Sequence, residues 1–116
     1  MNTLYGIKNC ITVRKALSFL EQHQIPYQFH DYKKQGIDEA QLLRWLKEFG
    51  FDKVINKNGT TWRNLSEEEK NKVLQNETGT LEMAKHYPSI IKRPILVSPK
   101  KILIGFNEAL YQELIP

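Results

Sequence analysis

Apolar and polar positions at the start of the chain alternate first as in a strand, then as in a helix, then again as in a strand. Asn2 to Tyr5 is a short run that leads into a glycine-containing loop. From Ile11 onward, apolar residues recur every three or four positions, which predicts an amphipathic helix. The helix should end before Pro26, because proline disfavours helical backbone in the preceding residue. With a strand over Tyr27 to His30, these elements predict two parallel strands joined by a right-handed helical crossover.

The middle of the chain is helical in pattern and carries several capping signals. Asp38 precedes an amphipathic stretch that stops at Gly50, so Asp38 is the predicted N-cap of that helix. Ser66 and Glu69 form a predicted capping box at the start of a second helix. Residues 79–87 are predicted to form a further short helix that ends ahead of a proline. A region of helices therefore separates the two ends of the chain.

The last part of the chain returns to a strand pattern. Two apolar runs, Pro94 to Ser98 and Lys101 to Ile104, are separated by Pro99 and Lys100, which favours a β-hairpin. A final helix is predicted over Asn107 to Leu114. The resulting order is β-α-β, then helices, then β-β-α. This order is typical of an α/β fold with a thioredoxin-like sheet, helices on both faces and a helical insertion.

The length of 116 residues, with no repeat and no linker, predicts a single domain. Its thioredoxin-like part should comprise residues 1–35 and 89–116, and the helical insertion should comprise about residues 36–88. No segment approaches the roughly 18 apolar residues that span a bilayer, and the start of the chain lacks a signal-peptide pattern. A cytoplasmic location without a membrane partner is therefore expected.

Charge and cysteine content exclude several classes of protein. The formal net charge is +4, but the basic residues are scattered, which favours a solvated basic surface, and no nucleic-acid partner is expected. The single cysteine excludes an internal disulfide and a cysteine-rich zinc site. The three histidines show no metal-ligand spacing, so no metal is expected.

The single cysteine, Cys10, lies at the predicted junction between the first strand and the first helix. A thiolate there faces free backbone N–H groups and the positive end of the helix dipole, which lower a cysteine pKa from its usual ~8.5. Lys8, Arg14 and Lys15 add positive charge nearby in the sequence. A free cysteine is also commonly a small buried hydrophobic residue, although a junction loop favours exposure. We predict that Cys10 is a reactive nucleophile.

The position three residues after Cys10 is Val13, where a dithiol oxidoreductase would carry its second cysteine. A redox cycle at Cys10 therefore requires a thiol from outside the chain, such as glutathione or another protein. No cofactor is expected to be bound, and glutathione is the expected co-substrate.

Two other segments are candidates for anion binding. In thioredoxin-like folds a proline at the position of Pro94 is typically cis and faces the loop of the nucleophile, which would place Arg93 near it. Arg93 is otherwise read as a surface arginine at a strand start. The segment Gly59 to Arg63 is predicted to be a loop that offers donors to an anion, with Arg63 as a bidentate partner. The alternative for this segment is a turn in which Trp62 anchors the helical region onto the sheet.

His30, Asp31 and Tyr32 form a polar and aromatic group at the end of the second predicted strand. This strand end is expected to lie away from Cys10, so no catalytic role is assigned to these residues. Without a histidine and a carboxylate or amide placed against the cysteine, a cysteine protease is not supported.

Three separated motifs occur in order along the chain: Leu4 to Cys10, Gly59 to Arg63, and Ile90 to Ile95 together with Gly105 and Phe106. Together they resemble the ArsC/Spx family of arsenate-reductase-like proteins, most closely its YffB-like branch. The resemblance runs over essentially the full length of the chain. It implies a thioredoxin-like fold with a helical insertion.

The resemblance also implies roles for individual residues. In arsenate reductases of this family a cysteine in the first loop attacks arsenate, glutathione resolves the adduct, and arginines hold the oxyanion. By position, Cys10 resembles the nucleophile, Thr12 and Arg14 match the Cys-x-Thr-x-Arg stretch, and Arg93 resembles an oxyanion-binding arginine. The family histidine ahead of the nucleophile is absent, since Gly6 and Ile7 occupy that loop.

Two further family arginines fall near Asn56 and near Gly105, where this chain has none; Arg63 is the candidate replacement for the first. The resemblance therefore implies a glutathione-dependent thiol reductase that acts on an oxyanion or a disulfide. Its expected partners are glutathione or glutaredoxin and a small anionic or disulfide substrate. The expected anion or glutathione ligands are Arg93, Arg14, Arg63, Thr12 and Lys8, with Asn9 and Pro94 in the active-site loop.

The alternative function is that of an Spx-like regulator, which binds RNA polymerase without turnover. Regulators of this kind carry a Cys-x-x-Cys redox switch, and Val13 interrupts that motif here. A binder that is not redox-controlled remains open, as does a domain without enzymatic activity.

Overall fold

The computed structural model describes residues 1–116, which form four strands, eight helices and one 3₁₀ turn. Two compact units are present: the first contains residues 1–34 and 93–116, and the second contains residues 35–92. In chain order the elements are β1 (Asn2–Gly6), α1 (Ile11–Gln22), β2 (Tyr27–Asp31), α2 (Tyr32–Gln35), α3 (Glu39–Phe49), α4 (Phe51–Val54), α5 (Thr60–Asn64), α6 (Glu67–Gln75), α7 (Glu77–His86), the 3₁₀ turn (Pro88–Ile90), β3 (Ile95–Val97), β4 (Ile102–Ile104) and α8 (Glu108–Gln112).

The first unit is built on a four-stranded sheet with the order β2-β1-β3-β4. β1 pairs in parallel with β2, so that Gly6 lies opposite Asp31. β3 is antiparallel to both β1 and β4, and Tyr5 lies opposite Ile95. The predicted crossover and hairpin are therefore both present. The residues that follow β1 and those that precede β3 consequently lie at the same end of the sheet.

Helix α1 is amphipathic and buries one side against the sheet. It ends at Gln22, and the chain then turns through Gln24, which has a φ of 54°. A backbone hydrogen bond from the Ile25 N–H to the Leu20 carbonyl, 2.9 Å long, closes this turn. Burial of each aliphatic side chain contributes roughly 1.5–3 kcal/mol relative to exposure. The core of this unit contains Leu4, Val13, Ala16, Phe19, Leu20, Ile25, Leu96, Leu103 and Tyr111.

The capping signals of the second unit are confirmed. The Asp38 side chain accepts a 3.1 Å hydrogen bond from the Gln41 N–H at the start of α3. Gly50 ends that helix with a φ of 83°, a conformation that glycine adopts without steric cost. The capping box of Ser66 and Glu69 is present at the start of α6. The predicted short helix near residue 79 is α7, which begins at Glu77.

The structure corrects two predicted boundaries and adds short helices. Gly59 to Arg63 is not a loop: Gly59 is the N-cap of α5, and the residues after it are helical. Strand β3 begins at Ile95 and excludes Pro94, which has no N–H to donate. Helices α2 and α4 were not predicted, because four residues are too few to show a helical period.

The sheet order and the helices packed on it give an α/β, thioredoxin-like fold. No helix in the structure is both long enough and apolar enough to cross a membrane.

Substitution of Gly6 tests how closely α1 packs against β1. A Cβ atom on Gly6 would lie 2.8 Å from Cγ2 of the buried Val13, closer than such atoms pack. Overpacking of this kind costs about 1–3 kcal/mol, so Gly6→Ala should lower the free energy of unfolding by that amount. Urea unfolding measures the change, with the exposed Ser18→Ala as control. A Gly6→Ala variant as stable as the wild type would contradict this packing.

Candidate active site

Cys10 occupies the N-cap position of α1. Its backbone is extended, with φ −92° and ψ 128°. The Cys10 N–H donates to the Ile7 carbonyl at 3.2 Å, and the Cys10 carbonyl accepts the first helical hydrogen bond from Arg14 at 3.0 Å. These two bonds hold the half-buried cysteine at the start of the helix. Its sulfur therefore lies where the helix presents free N–H groups.

The surroundings of Cys10 favour its thiolate. Burial by itself would raise the pKa of the thiol. The backbone N–H of Val13, the Arg93 side chain and the backbone N–H of Thr12 all donate toward the sulfur, and the positive charge of Arg93 adds to them, so that the pKa of Cys10 lies below its ordinary value. Hydrogen bonds donated to a thiolate favour the charged form, which is why these groups lower the pKa.

Arg93 and Pro94 lie at the same end of the sheet as Cys10. They directly precede Ile95, which pairs with Tyr5 near the end of β1. The Arg93–Pro94 peptide bond is cis, the form expected in thioredoxin-like folds. The Pro94 carbonyl accepts a 2.8 Å hydrogen bond from the Gly105 N–H, which ties this segment to the residue that follows β4. Arg93 is thereby held on a short, anchored segment.

The other predicted ligands of the first unit take different positions. Thr12 contributes its backbone N–H, and its side chain is half-buried. Lys8, Asn9 and Arg14 are exposed, and neither Lys8 nor Arg14 forms an ion pair within the chain. Within this unit, Arg93 is thus the predicted arginine whose side chain interacts with the thiol.

Arg63 lies on α5, in the second unit, and its side chain is exposed. Its role as an anion ligand stays a prediction. Its neighbour Trp62 is buried.

The group of His30, Asp31 and Tyr32 lies at the same end of the sheet as the Cys10 loop, and the expectation that it lies away from it was wrong. β1 and β2 are parallel, so both strands end on the same side, with Gly6 opposite Asp31. The Tyr5 ring lies 5.0 Å from that of His30 and 6.4 Å from that of Tyr32, between ring centroids. Parallel pairing was already predicted from the sequence, and this placement follows from it.

No group of three or more histidine, cysteine, aspartate or glutamate side chains in the structure is arranged to hold a metal ion. The side chains that the site brings together are the Cys10 thiol and the Arg93 guanidinium.

Two solved structures that are similar to this chain support the fold and indicate the family to which it is related. A YffB protein is 40% identical, covers 100% of both chains and superposes with a TM-score of 0.89. A protein from Brucella melitensis, described as related to the arsenate reductase ArsC, is 42% identical over 97% of this chain and 92% of its own, with a TM-score of 0.70.

The curated relatives include an uncharacterized protein and a transcriptional regulator. A protein of Haemophilus influenzae, described as uncharacterized, is 47% identical and covers 97% of this chain and 96% of its own. The global transcriptional regulator Spx of Listeria innocua is 29% identical over 100% of this chain and 88% of its own. The model of the ArsC family matches residues 5–114, and the chain belongs to that family.

Proposed function

We propose that this protein is a glutathione-dependent thiol reductase in which Cys10 is the nucleophile. The observation that supports the proposal most strongly is the stabilised thiolate of Cys10, which has Arg93 and the first N–H groups of α1 around it. The likeness to a YffB protein and to an arsenate-reductase-related protein supports a thiol-based reductase. The absence of a second cysteine supports an external thiol as the resolving group.

The proposed cycle consumes one free glutathione for each glutathione mixed disulfide that it reduces. The Cys10 thiolate attacks the glutathione sulfur of a substrate mixed disulfide; the new S–S bond forms as the old one breaks, and the substrate sulfur leaves as a thiolate that takes up a proton. A glutathione thiolate then attacks the glutathione sulfur bound to Cys10. Oxidised glutathione leaves, and the Cys10 thiolate is restored. The net reaction converts one mixed disulfide and one free glutathione into the substrate thiol and oxidised glutathione.

Arg93 serves both halves of this cycle. Before attack its charge stabilises the thiolate of Cys10. Once the sulfur is joined in a disulfide it is neutral, and the guanidinium becomes available for a carboxylate of glutathione. An oxyanion substrate would use the same cation. Arsenate should be the poorer substrate, because the positions near Asn56 and Gly105 offer no arginine.

We expect Arg93→Ala to raise the pKa of Cys10 toward its ordinary value, since it removes both a hydrogen bond and a positive charge from the thiolate. The variant should therefore be alkylated more slowly than the wild type near neutral pH. The pH dependence of iodoacetamide alkylation measures the pKa. Arg44→Ala, at an exposed arginine of α3, is the matched control. An unchanged pKa in Arg93→Ala would show that Arg93 does not stabilise the thiolate.

Cys10→Ser should abolish glutathione-dependent reduction of a small mixed disulfide, because a serine hydroxyl at this position does not ionise near neutral pH. The assay follows oxidised glutathione formed from hydroxyethyl disulfide, and a parallel assay uses arsenate. Lys100→Ala, at an exposed position in the turn after β3, is the control and should keep wild-type activity. Turnover retained by Cys10→Ser would contradict the proposal.

A regulatory role without turnover is the second candidate, favoured by the likeness to Spx of Listeria innocua. Under this alternative the protein would bind the α subunit of RNA polymerase, and Cys10→Ser would bind it as well as the wild type does. Co-purification of the tagged wild type and of Cys10→Ser with the α subunit tests it. Binding by both proteins, with no disulfide turnover by the wild type, would favour the regulator over the reductase.

A further inference from the structure

An open groove of about 820 Å³ runs along the outer side of α1 in the first unit. Its floor contains the rings of Phe19 and Phe106, whose centroids lie 6.1 Å apart in an edge-to-face arrangement. Tyr111 packs against both rings and is fully buried. The groove therefore has an apolar aromatic floor that is supported by the core.

One end of the groove begins at Ile11, the residue that directly follows Cys10. The Ile11 side chain is 68% exposed, although it is large and apolar. Ile11, Phe19 and Phe106 are the apolar residues of the lining, and its other five residues are polar or charged. These three side chains offer apolar contacts to a ligand in the groove, one of them beside the nucleophile.

The same end of the groove is positively charged. Arg14 and Lys15 line it, and neither forms an ion pair within the chain. Glu108 is the acidic residue of the lining, and it is also without an ion pair. The excess of positive charge near Cys10 favours an acidic ligand, because complementary charges attract it and orient it on approach.

The length of the groove fits a peptide of about five residues. It extends along α1 from Ile11 to Gln22, which is about 16 Å at 1.5 Å per helical residue. An extended chain advances about 3.3 Å per residue, so about five residues match this distance. The tripeptide glutathione would occupy little more than half of it.

We propose that this groove binds an extended segment of a protein substrate, one with acidic residues beside its reactive cysteine and an apolar residue further along. The acidic residues would face Arg14 and Lys15, and the apolar residue would contact Phe19 and Phe106. The substrate's sulfur would then lie at the Cys10 end of the groove. The protein-substrate part of this inference rests on the proposed reductase function, whereas peptide binding itself does not.

The test measures peptide binding apart from catalysis. The probe is a fluorescein-labelled heptapeptide of the order leucine, aspartate, glutamate, serine, glutamate, aspartate, leucine, in which serine replaces the reactive cysteine. The comparison peptide carries lysine at the four acidic positions. Fluorescence anisotropy with the full-length protein should show at least fivefold tighter binding of the acidic peptide. In ¹H–¹⁵N spectra, the amides that shift on its addition should cluster at Ile11, Ser18 and Phe106.

Two substitutions in the groove sharpen the test without altering the proposed ligands of Cys10. Lys15→Glu reverses a charge and Ser18→Trp fills the groove, and each should weaken binding of the acidic peptide about two- to tenfold. Lys100→Glu makes the same charge change in the turn at the opposite end of the sheet and should leave binding unchanged. Ser18→Trp, which leaves the charges near Cys10 unchanged, should reduce hydroxyethyl disulfide at the wild-type rate.

Several outcomes would overturn the groove proposal. Equal binding of the two peptides would do so, as would binding that Lys15→Glu and Ser18→Trp leave unchanged. Glutathione alone shifting the same amides with equal affinity would show a glutathione subsite instead. Shifts of these amides with protein concentration alone would show that a second copy covers the groove. A wild-type protein that does not reduce hydroxyethyl disulfide would contradict the reductase function. The peptide-binding measurements would still show whether the groove binds an acidic segment.

Discussion

The position of the first turn of α1 relative to the end of β1 determines most of what this protein can do. The Cys10 sulfur is charged at lower pH than an ordinary thiol because the N–H groups of Val13 and Thr12 point at it, and these groups are fixed by helix packing. Val13 is fully buried and lies against Gly6, where the strand gives way to the loop. A shift of the helix along the sheet would carry Cys10 away from Arg93, which lies on the segment before β3. The chemistry of the cysteine is therefore a consequence of core packing.

Much of this arrangement is readable from the sequence, since it depends on local signals. The apolar period of α1, the strand ahead of it and the proline after it together place Cys10 at a helix N-terminus, and the structure has it there. The caps at Asp38 and Ser66 were equally local, and both are present. A side chain that hydrogen-bonds its own helix within three residues leaves a short-range pattern that the sequence displays directly.

The features that the sequence missed depend on distant parts of the chain or on very short elements. Gly59 to Arg63 reads as a loop because five residues do not complete two helical turns, yet the segment is helical. The position of His30 depends on strand pairing. Its strand runs parallel to β1, so both strands end at the same end of the sheet, and no local signal in the sequence displays this. The groove beside α1 has no sequence signature, since Phe19 and Phe106 meet only after folding.

Burial and nearby donors have opposite effects on the pKa of Cys10, and Arg93 is one of the groups that offset burial. Burial disfavours the thiolate and is the largest single influence on it, so the site would hold a neutral thiol if nothing compensated. The helix N–H groups compensate with fixed partial charges that remain in place throughout a reaction. Arg93 adds a full charge on a side chain, which can be shared with an incoming anion when the sulfur becomes neutral. The helix N–H groups therefore favour the thiolate throughout. The Arg93 charge stabilises the thiolate before the reaction and an incoming anion once the sulfur is neutral. Because the chain has no second cysteine, reaction with an external thiol would be the step that completes the cycle under the proposed reductase function.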